Sequence, residues 1–389
     1  MKFLLQQGWG MLALIDDFLR EHEDSGVILS PRVCDRDQME KYVKKFKNHG
    51  NAIFFDPQFY EPRTDLDRIL SFPYWEDYDF QTGSFDAVNF CKRVIEYEIE
   101  HLNVDAVILP GRYTNSVDNS WLEMQYKIAE TGSSEVTDRN VFTTLALGPD
   151  VILNQDNFDT VIDELINYPV QGVYFVFEHP NKEFLINNEL FLYAILDSTL
   201  SIVLSGKEVI VGYANQQSLI FAASGIETIA SGNYRNVRSF DHMLFSSQDT
   251  EGWQRNIWYF DGNTLGEYQP PKLSLAFRRG LASCFGPSTS HSKRLLEATN
   301  PANVPWREPE AFRHYLELIK NLWTKFEKFP KNQRAYEVKI FLEEIREHNN
   351  KLREKGFNPG ERGFYSAIES TIDALDAFMK DRKSDIENL

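Results

Sequence analysis

The chain has 389 residues, 42% of them hydrophobic and 14% aromatic, and a formal net charge of −17. That much apolar side chain supports a large packed core and excludes a disordered chain. No apolar run approaches the roughly 18 residues that a membrane-spanning helix needs. The acidic excess lies entirely before residue 300, because residues 300–389 balance 16 acidic against 16 basic side chains. Such a body repels phosphate backbones, so a broad duplex-binding surface is not expected, whereas a local basic pocket is compatible with it.

The segment Met1 to Trp9 lacks the h-region and cleavage site of a signal peptide. The three cysteines (Cys34, Cys91, Cys284) are isolated and odd in number, as suits a reducing compartment. A cytoplasmic protein with no membrane partner is the expectation.

Apolar runs rich in Val, Ile and Phe recur at 26–29, 52–55, 106–109, 142–147, 172–177, 209–211 and 227–229. Their apolar residues are continuous rather than alternating, the pattern of parallel strands buried on both faces. Helical patterns separate most of them, among them 37–49, 158–168 and 216–224, the last closing at Gly225 in a C-cap position. An eighth strand comes either from Phe3-Leu4-Leu5 or from Ile257 to Phe260. Eight alternating units predict an α/β protein, a (β/α)8 barrel of the TIM type, with an open doubly wound sheet as the alternative.

Residues 61–84 interrupt the rhythm with an aromatic, acidic stretch at 72–80, read as a loop inserted near the barrel mouth, and a helix follows at 85–101. The pair Pro270-Pro271 and the Gly/Ser-rich segment 283–290 mark a boundary. The barrel is therefore expected over 1–268 and a helical C-terminal extension over 269–389, with helices at 308–329, 333–355 and 363–383.

Functional side chains of such a barrel gather after the strands. Four arginines follow strand runs (Arg32, Arg112, Arg235, Arg238). Guanidinium forks bind phosphate or carboxylate bidentately, so these are expected to share one pocket for an anion. Pairing with Asp56, Asp118 or Glu178 is the alternative use of each. Asp56 ends a strongly apolar strand and is the first candidate for proton transfer, with Glu178, beside His179, as the second. Either could instead hold an arginine or cap a turn. Tyr60, Tyr113, Tyr213 and Tyr234 ring the same mouth and suit a stacked base, although aromatic loop residues also pack loops together. Gln58, Asn115, Asn215, Gln216 and Asn233 offer amides to polar edges. No phosphate-binding glycine loop, dinucleotide fingerprint or nucleophile elbow occurs. Cys284, His291 and His314 have the wrong spacing for structural zinc. No metal and no cofactor is expected.

The stretch Val211-Gly212-Tyr213-Ala214-Asn215-Gln216-Gln217-Ser218-Leu219, continued by Ala222-Ala223-Ser224-Gly225-Ile226-Glu227-Thr228-Ile229, resembles a segment of the tRNA-guanine transglycosylase superfamily. There a strand end leads through a helix and turn to the strand that presents the nucleophile. A second likeness runs from Cys284 through Ser290-His291-Ser292-Lys293-Arg294-Leu295-Leu296 to Phe312-Arg313-His314-Tyr315-Leu316-Glu317-Leu318-Ile319, similar to the family's zinc subdomain and histidine-bearing helix. The resemblance implies a barrel with glycosyltransferase or N-glycosidase chemistry. Two departures limit it. The family's nucleophilic aspartate falls near Ala230, and its cysteine cluster is reduced to Cys284, so neither nucleophile nor zinc carries over. The functional expectation is an enzyme for a nucleotide-like small molecule or a single-stranded or flipped nucleotide. The alternative is an inactive barrel that serves as a binding or assembly subunit of a modification or defence complex, with a protein partner on the helical extension.

Overall fold

Eight strands, all parallel, form the centre of the computed structural model, which describes residues 1–62, 67–76, 78–246 and 257–389. They are β1 Lys2–Gln6, β2 Gly26–Leu29, β3 Ala52–Phe55, β4 Val107–Ile108, β5 Val141–Leu147, β6 Gly172–Phe177, β7 Glu208–Val211 and β8 Thr228–Ser231. Their spatial order is β3-β2-β1-β8-β7-β6-β5-β4. The ends of that order meet at Asp105, just before β4, whose N–H donates to Ile53 O of β3 (2.8 Å) while Ile53 N–H donates to the Asp105 carboxylate (2.7 Å). The sheet is thus a nearly closed barrel, and the open doubly wound alternative falls. All seven apolar runs read from the sequence are among its strands. The eighth is the N-terminal segment, while Tyr259–Phe260 (β9) pairs antiparallel with Glu267–Tyr268 (β10) outside the barrel.

The continuous apolar pattern of the strands follows from two hydrophobic layers. Leu4, Ile28, Phe54, Ile108, Phe142, Tyr174, Ile210 and Ala230 fill the barrel interior. Their strand neighbours, such as Phe3, Leu5, Val27, Phe55 and Val173, face the helices outside. One turn of pleat therefore feeds two cores.

Gly26 shows how tightly the strands pass. It pairs with Leu4 on one side and Ala52 on the other, and a Cβ there would lie 2.5 Å from Ala52 O and 2.9 Å from Leu4 Cδ2. Gly26→Ala is expected to destabilise the fold by about 1–3 kcal/mol, the usual range for overpacking. A urea midpoint equal to that of the parent would refute this.

Helices join the strands on the outside. The segment Gln216–Ser224 forms a fully buried 3-10 helix that ends at Gly225 with φ 81°, a left-handed conformation that glycine adopts at little cost. The C-terminal helices Glu308–Thr324, Lys331–Glu354 and Tyr365–Asp381 share the outer apolar cluster of the barrel through Trp323, Phe341, Leu342, Ile368 and Leu375. Trp323 Nε1 donates to Lys2 O of β1 (2.9 Å). No helix among the described residues is long and apolar enough to cross a membrane. The inserted segment forms an aromatic cluster around Phe59, just past β3, with Trp75, Tyr78, Phe85 and Phe90 (contacting ring centroids 4.4–6.3 Å apart). Asp77 and residues 63–66 of that insertion lie outside the described residues.

Candidate functional site

Asp56 follows the last residue of β3 and is 1% exposed. Its Oδ1 accepts the Gln58 N–H (2.9 Å), and its Oδ2 accepts the Tyr60 hydroxyl (2.8 Å). The hydroxyls of Tyr174 and Tyr213 stand 3.3 and 3.4 Å from the same oxygen. Burial pushes the carboxyl up to about 6, and the backbone N–H of Gln58 and the tyrosine hydroxyls hold it from rising further. Tyr174 also lies 3.1 Å from Gln6 Oε1. Its one proton serves one acceptor at a time, so a protonated Asp56 can donate to Tyr174 while Tyr174 donates to Gln6. Gln58 completes the centre: it receives the Ser30 hydroxyl (2.7 Å) and donates to Tyr213 Oη (3.1 Å). Both Gln58 and Tyr213 hold left-handed backbone (φ 52° and 53°), and non-glycine strain of that kind clusters where geometry serves a site. The rings of Phe240 and Phe245 pack on Tyr60 (both 4.9 Å) and cover the centre.

Phe240 is also one wall of a cavity of about 770 Å3 on the rim of the barrel. The loop after β8, the β9–β10 hairpin and the helix Glu308–Thr324 enclose it. Lys182, Arg235, Arg238 and Arg362 stand there against Asp241, Glu267 and Glu308, with Tyr234, Trp258, Phe312 and Tyr315 as aromatic lining. The buried Glu267 carboxylate bridges two of the guanidiniums, Arg238 through Oε1 (2.5 Å) and Arg362 through Oε2 (2.8 Å). Burial opposes charge on Glu267, but the two arginines outweigh it and hold the carboxyl below its usual range. Arg238 stacks over Tyr315 (4.3 Å) and Arg362 over Trp258 (4.2 Å). Arg238 Nε is buried without a hydrogen-bond partner. Burial, together with Arg362 and Arg238 nearby, lowers the Arg235 guanidinium. One carboxylate bridges two guanidiniums while a third crowds them, a state that a bound anion relieves.

The four arginines expected in one pocket are divided. Arg235 and Arg238 line the cavity together. Arg32 lies over Phe245 (5.2 Å) in a separate small cavity with Gln58 and Trp75. Arg112 is held by the inserted aromatic cluster, over Phe59 (5.4 Å) and donating to Tyr78 Oη (3.2 Å). In the strand order β1 stands between β2 and β8, and β7, β6 and β5 stand between β8 and β4, so the loops after β2 and β4 face different neighbours from the loop after β8. Among the amides, Asn233 lines the cavity beside Tyr234. Asn115 is fixed by Asp150 (2.6 Å). Asn215 caps the buried 3-10 helix, and Gln216 is buried against Leu265 O (3.3 Å). These last three serve the fold.

Glu178, at the end of β6, accepts the Tyr113 hydroxyl through Oε2 (2.7 Å) and meets His242 Nδ1 through Oε1 (2.9 Å). Its sequence neighbour His179 is turned away: Nδ1 is 2.9 Å from Glu183 O, and burial lowers that imidazole to about 4. His314 is likewise buried, between Thr289 Oγ1 and Phe260 O (2.9 and 2.7 Å). Sequence reading missed Glu267, Trp258, Tyr315, Arg362 and His242. Trp258 borders the hairpin, Glu267 lies in it, and Tyr315 and Arg362 follow it, all far along the chain from the ends of the barrel strands. His242 lies eleven residues past the end of β8 at Ser231, with no local signal.

The fold and site define an α/β barrel of the TIM type with a cationic, aromatic cleft on the rim where its strands end. No protein-family model matches the chain, and no curated protein does. Among solved structures, a nitroalkane oxidase from Streptomyces ansochromogenes aligns over 98% of this chain and 96% of its own, at 10% identity and a TM-score of 0.32. A likeness at that level carries no argument about fold or chemistry, so the fold rests on the strand pairing above.

Proposed function

We propose that this chain is an enzyme that holds an anionic, nucleotide-like ligand at the strand-end mouth of its barrel. The observation that carries the reading is the gathering of Arg235, Arg238 and Arg362 around a single bridging carboxylate in one aromatic cavity of a chain with net charge −17. The guanidiniums suit a phosphate and the rings of Tyr234, Trp258 and Phe312 suit a base. Asp56, one aromatic layer behind Phe240, is the proton-transfer candidate, with Glu178 as the second. Glycosidic-bond chemistry is the form implied by the transglycosylase resemblance. Ala230, at the place of that family's nucleophile, is buried in the barrel interior, so any such reaction here uses a different nucleophile, such as water.

Titration with guanosine and adenosine monophosphate, and with inorganic phosphate, tests the reading. A nucleotide at a hundredfold excess over Kd should stabilise the fold by about 2.7 kcal/mol. Arg235→Ala and Arg362→Ala should each weaken binding roughly 10- to 100-fold, the worth of a charge-assisted hydrogen bond. Equal binding by both variants and the parent refutes the placement of the anion.

The second reading, a binding or assembly subunit, draws on the seal over Asp56 and on the outer face of the extension. There the helix Lys331–Glu354 leaves Tyr336 (47%) and Ile340 (53%), one turn apart, in solvent.

A further inference from the structure

We propose that Glu178, Asp241 and His242 hold a divalent first-row metal ion, of the zinc or manganese kind, at the edge of the cationic cavity. One ligand atom from each residue lies within 4.8 Å of the others. The set combines an imidazole nitrogen with two carboxylates, which suits zinc or manganese, and three protein ligands leave coordination positions open.

Three features set the cluster apart from a chance meeting of surface charges. The first is charge. Glu178 is buried, with 6% of its side chain exposed, yet its partners are the Tyr113 hydroxyl and His242 alone, with no lysine or arginine among the described residues. A buried carboxylate so placed has no permanently charged partner. The second is support. The Tyr113 ring stacks on His242 at 4.2 Å and 7°, and its hydroxyl holds the far oxygen of Glu178 (2.7 Å). One tyrosine thus fixes two ligands, the outer-shell arrangement that metal sites use to orient their first shell. The third is access. Asp241 lines the 770 Å3 cavity; its Oδ1 receives the Met243 N–H (3.0 Å) and faces Lys182 Nζ (3.6 Å), while Oδ2 has no hydrogen bond among the described residues.

Two bonds of about 2.1 Å at a right angle, the octahedral arrangement of manganese, set their ligand atoms about 3.0 Å apart, and the tetrahedral arrangement of zinc about 3.4 Å; the Glu178–His242 contact is 2.9 Å. An ion there would stand beside the group that Arg235 and Arg238 hold. That the open positions take a phosphate oxygen of the ligand rests on the reading above; the metal site itself does not.

Full-length protein dialysed against EDTA and then against buffer, titrated calorimetrically with ZnCl2, MnCl2 and MgCl2, tests the proposal. One equivalent of zinc or manganese should bind with a Kd in the micromolar range or below and raise the melting temperature. His242→Gln and Asp241→Asn alter partly exposed side chains, 22% and 31%, and each should lower affinity at least tenfold. Tyr113→Phe keeps the stacked ring but loses the hydroxyl and should lower it about tenfold. No stoichiometric binding, or binding untouched by these variants, overturns the site and leaves Glu178 and His242 a plain hydrogen-bonded pair. Nucleotide titrations run in EDTA separate the two claims. Nucleotide binding without metal binding sinks this inference alone, and metal binding without nucleotide binding sinks the functional reading alone.

Discussion

Glu267→Ala should lower the stability of the fold by about 3–5 kcal/mol, the range for breaking a buried ion pair from one side. Glu267 is 2% exposed and Arg238 4%, so the substitution strands the Arg238 guanidinium in the interior with Arg362 and Arg235 close to it. Three cations would then share the site with no bridging carboxylate. Inorganic phosphate gives the result its functional meaning. An anion that enters the cavity can take the place of the lost carboxylate, so phosphate should raise the melting temperature of the variant more than that of the parent. Glu267→Gln, which keeps one acceptor oxygen for one of the two arginines and turns an amide NH2 towards the other, should fall between them. A melting temperature unchanged in Glu267→Ala would show that the pair contributes nothing, and no extra response to phosphate would remove the anion from the cavity.

The second large effect is a pH dependence carried by Asp56. Its folded value of about 6 stands above the ordinary 3.8, so the folded chain binds this proton more tightly than the unfolded chain does. The group therefore favours folding most at low pH, and that contribution is lost as pH rises from about 4 to about 6. Above that window the buried charge is a constant penalty of about 3 kcal/mol, from 1.36 kcal/mol for each unit. Asp56→Asn does not titrate. Its stability relative to the parent should climb by about that amount between pH 4 and pH 7, whatever fixed offset the altered hydrogen bonds add. Urea denaturation at several pH values checks it, and a difference that stays flat over the window would mean that Asp56 ionises as an ordinary carboxyl. With a turnover substrate in hand, the same variant should bind nucleotide yet turn over about 10²–10⁴-fold more slowly if Asp56 moves the proton. Normal turnover assigns that role elsewhere and favours Glu178 or the assembly reading.

Residues 26–29, 52–55 and 172–177 show what local sequence determined by itself. A parallel strand covered on both faces writes its burial into consecutive residues, so seven strands, the barrel and the helix stop at Gly225 were all legible. Asp56 was legible too, because a carboxylate directly after an apolar run has few places to go except the mouth. The identity of the eighth strand was not: Phe3 to Leu5 and Ile257 to Phe260 carry the same pattern, and only closure of the cylinder chooses between them. The cationic cavity was half legible. Arg235 and Arg238 follow β8, but the carboxylate that joins Arg238 to Arg362 is 29 residues from the one and 95 from the other. Arg32 and Arg112 have the same strand-end signature and yet rest on separate aromatic walls. Hydrophobic periodicity is a property of neighbours along the chain, so the sequence determined the barrel. Charge pairing is a property of neighbours in space, so only the tertiary structure decided which of its arginines meet.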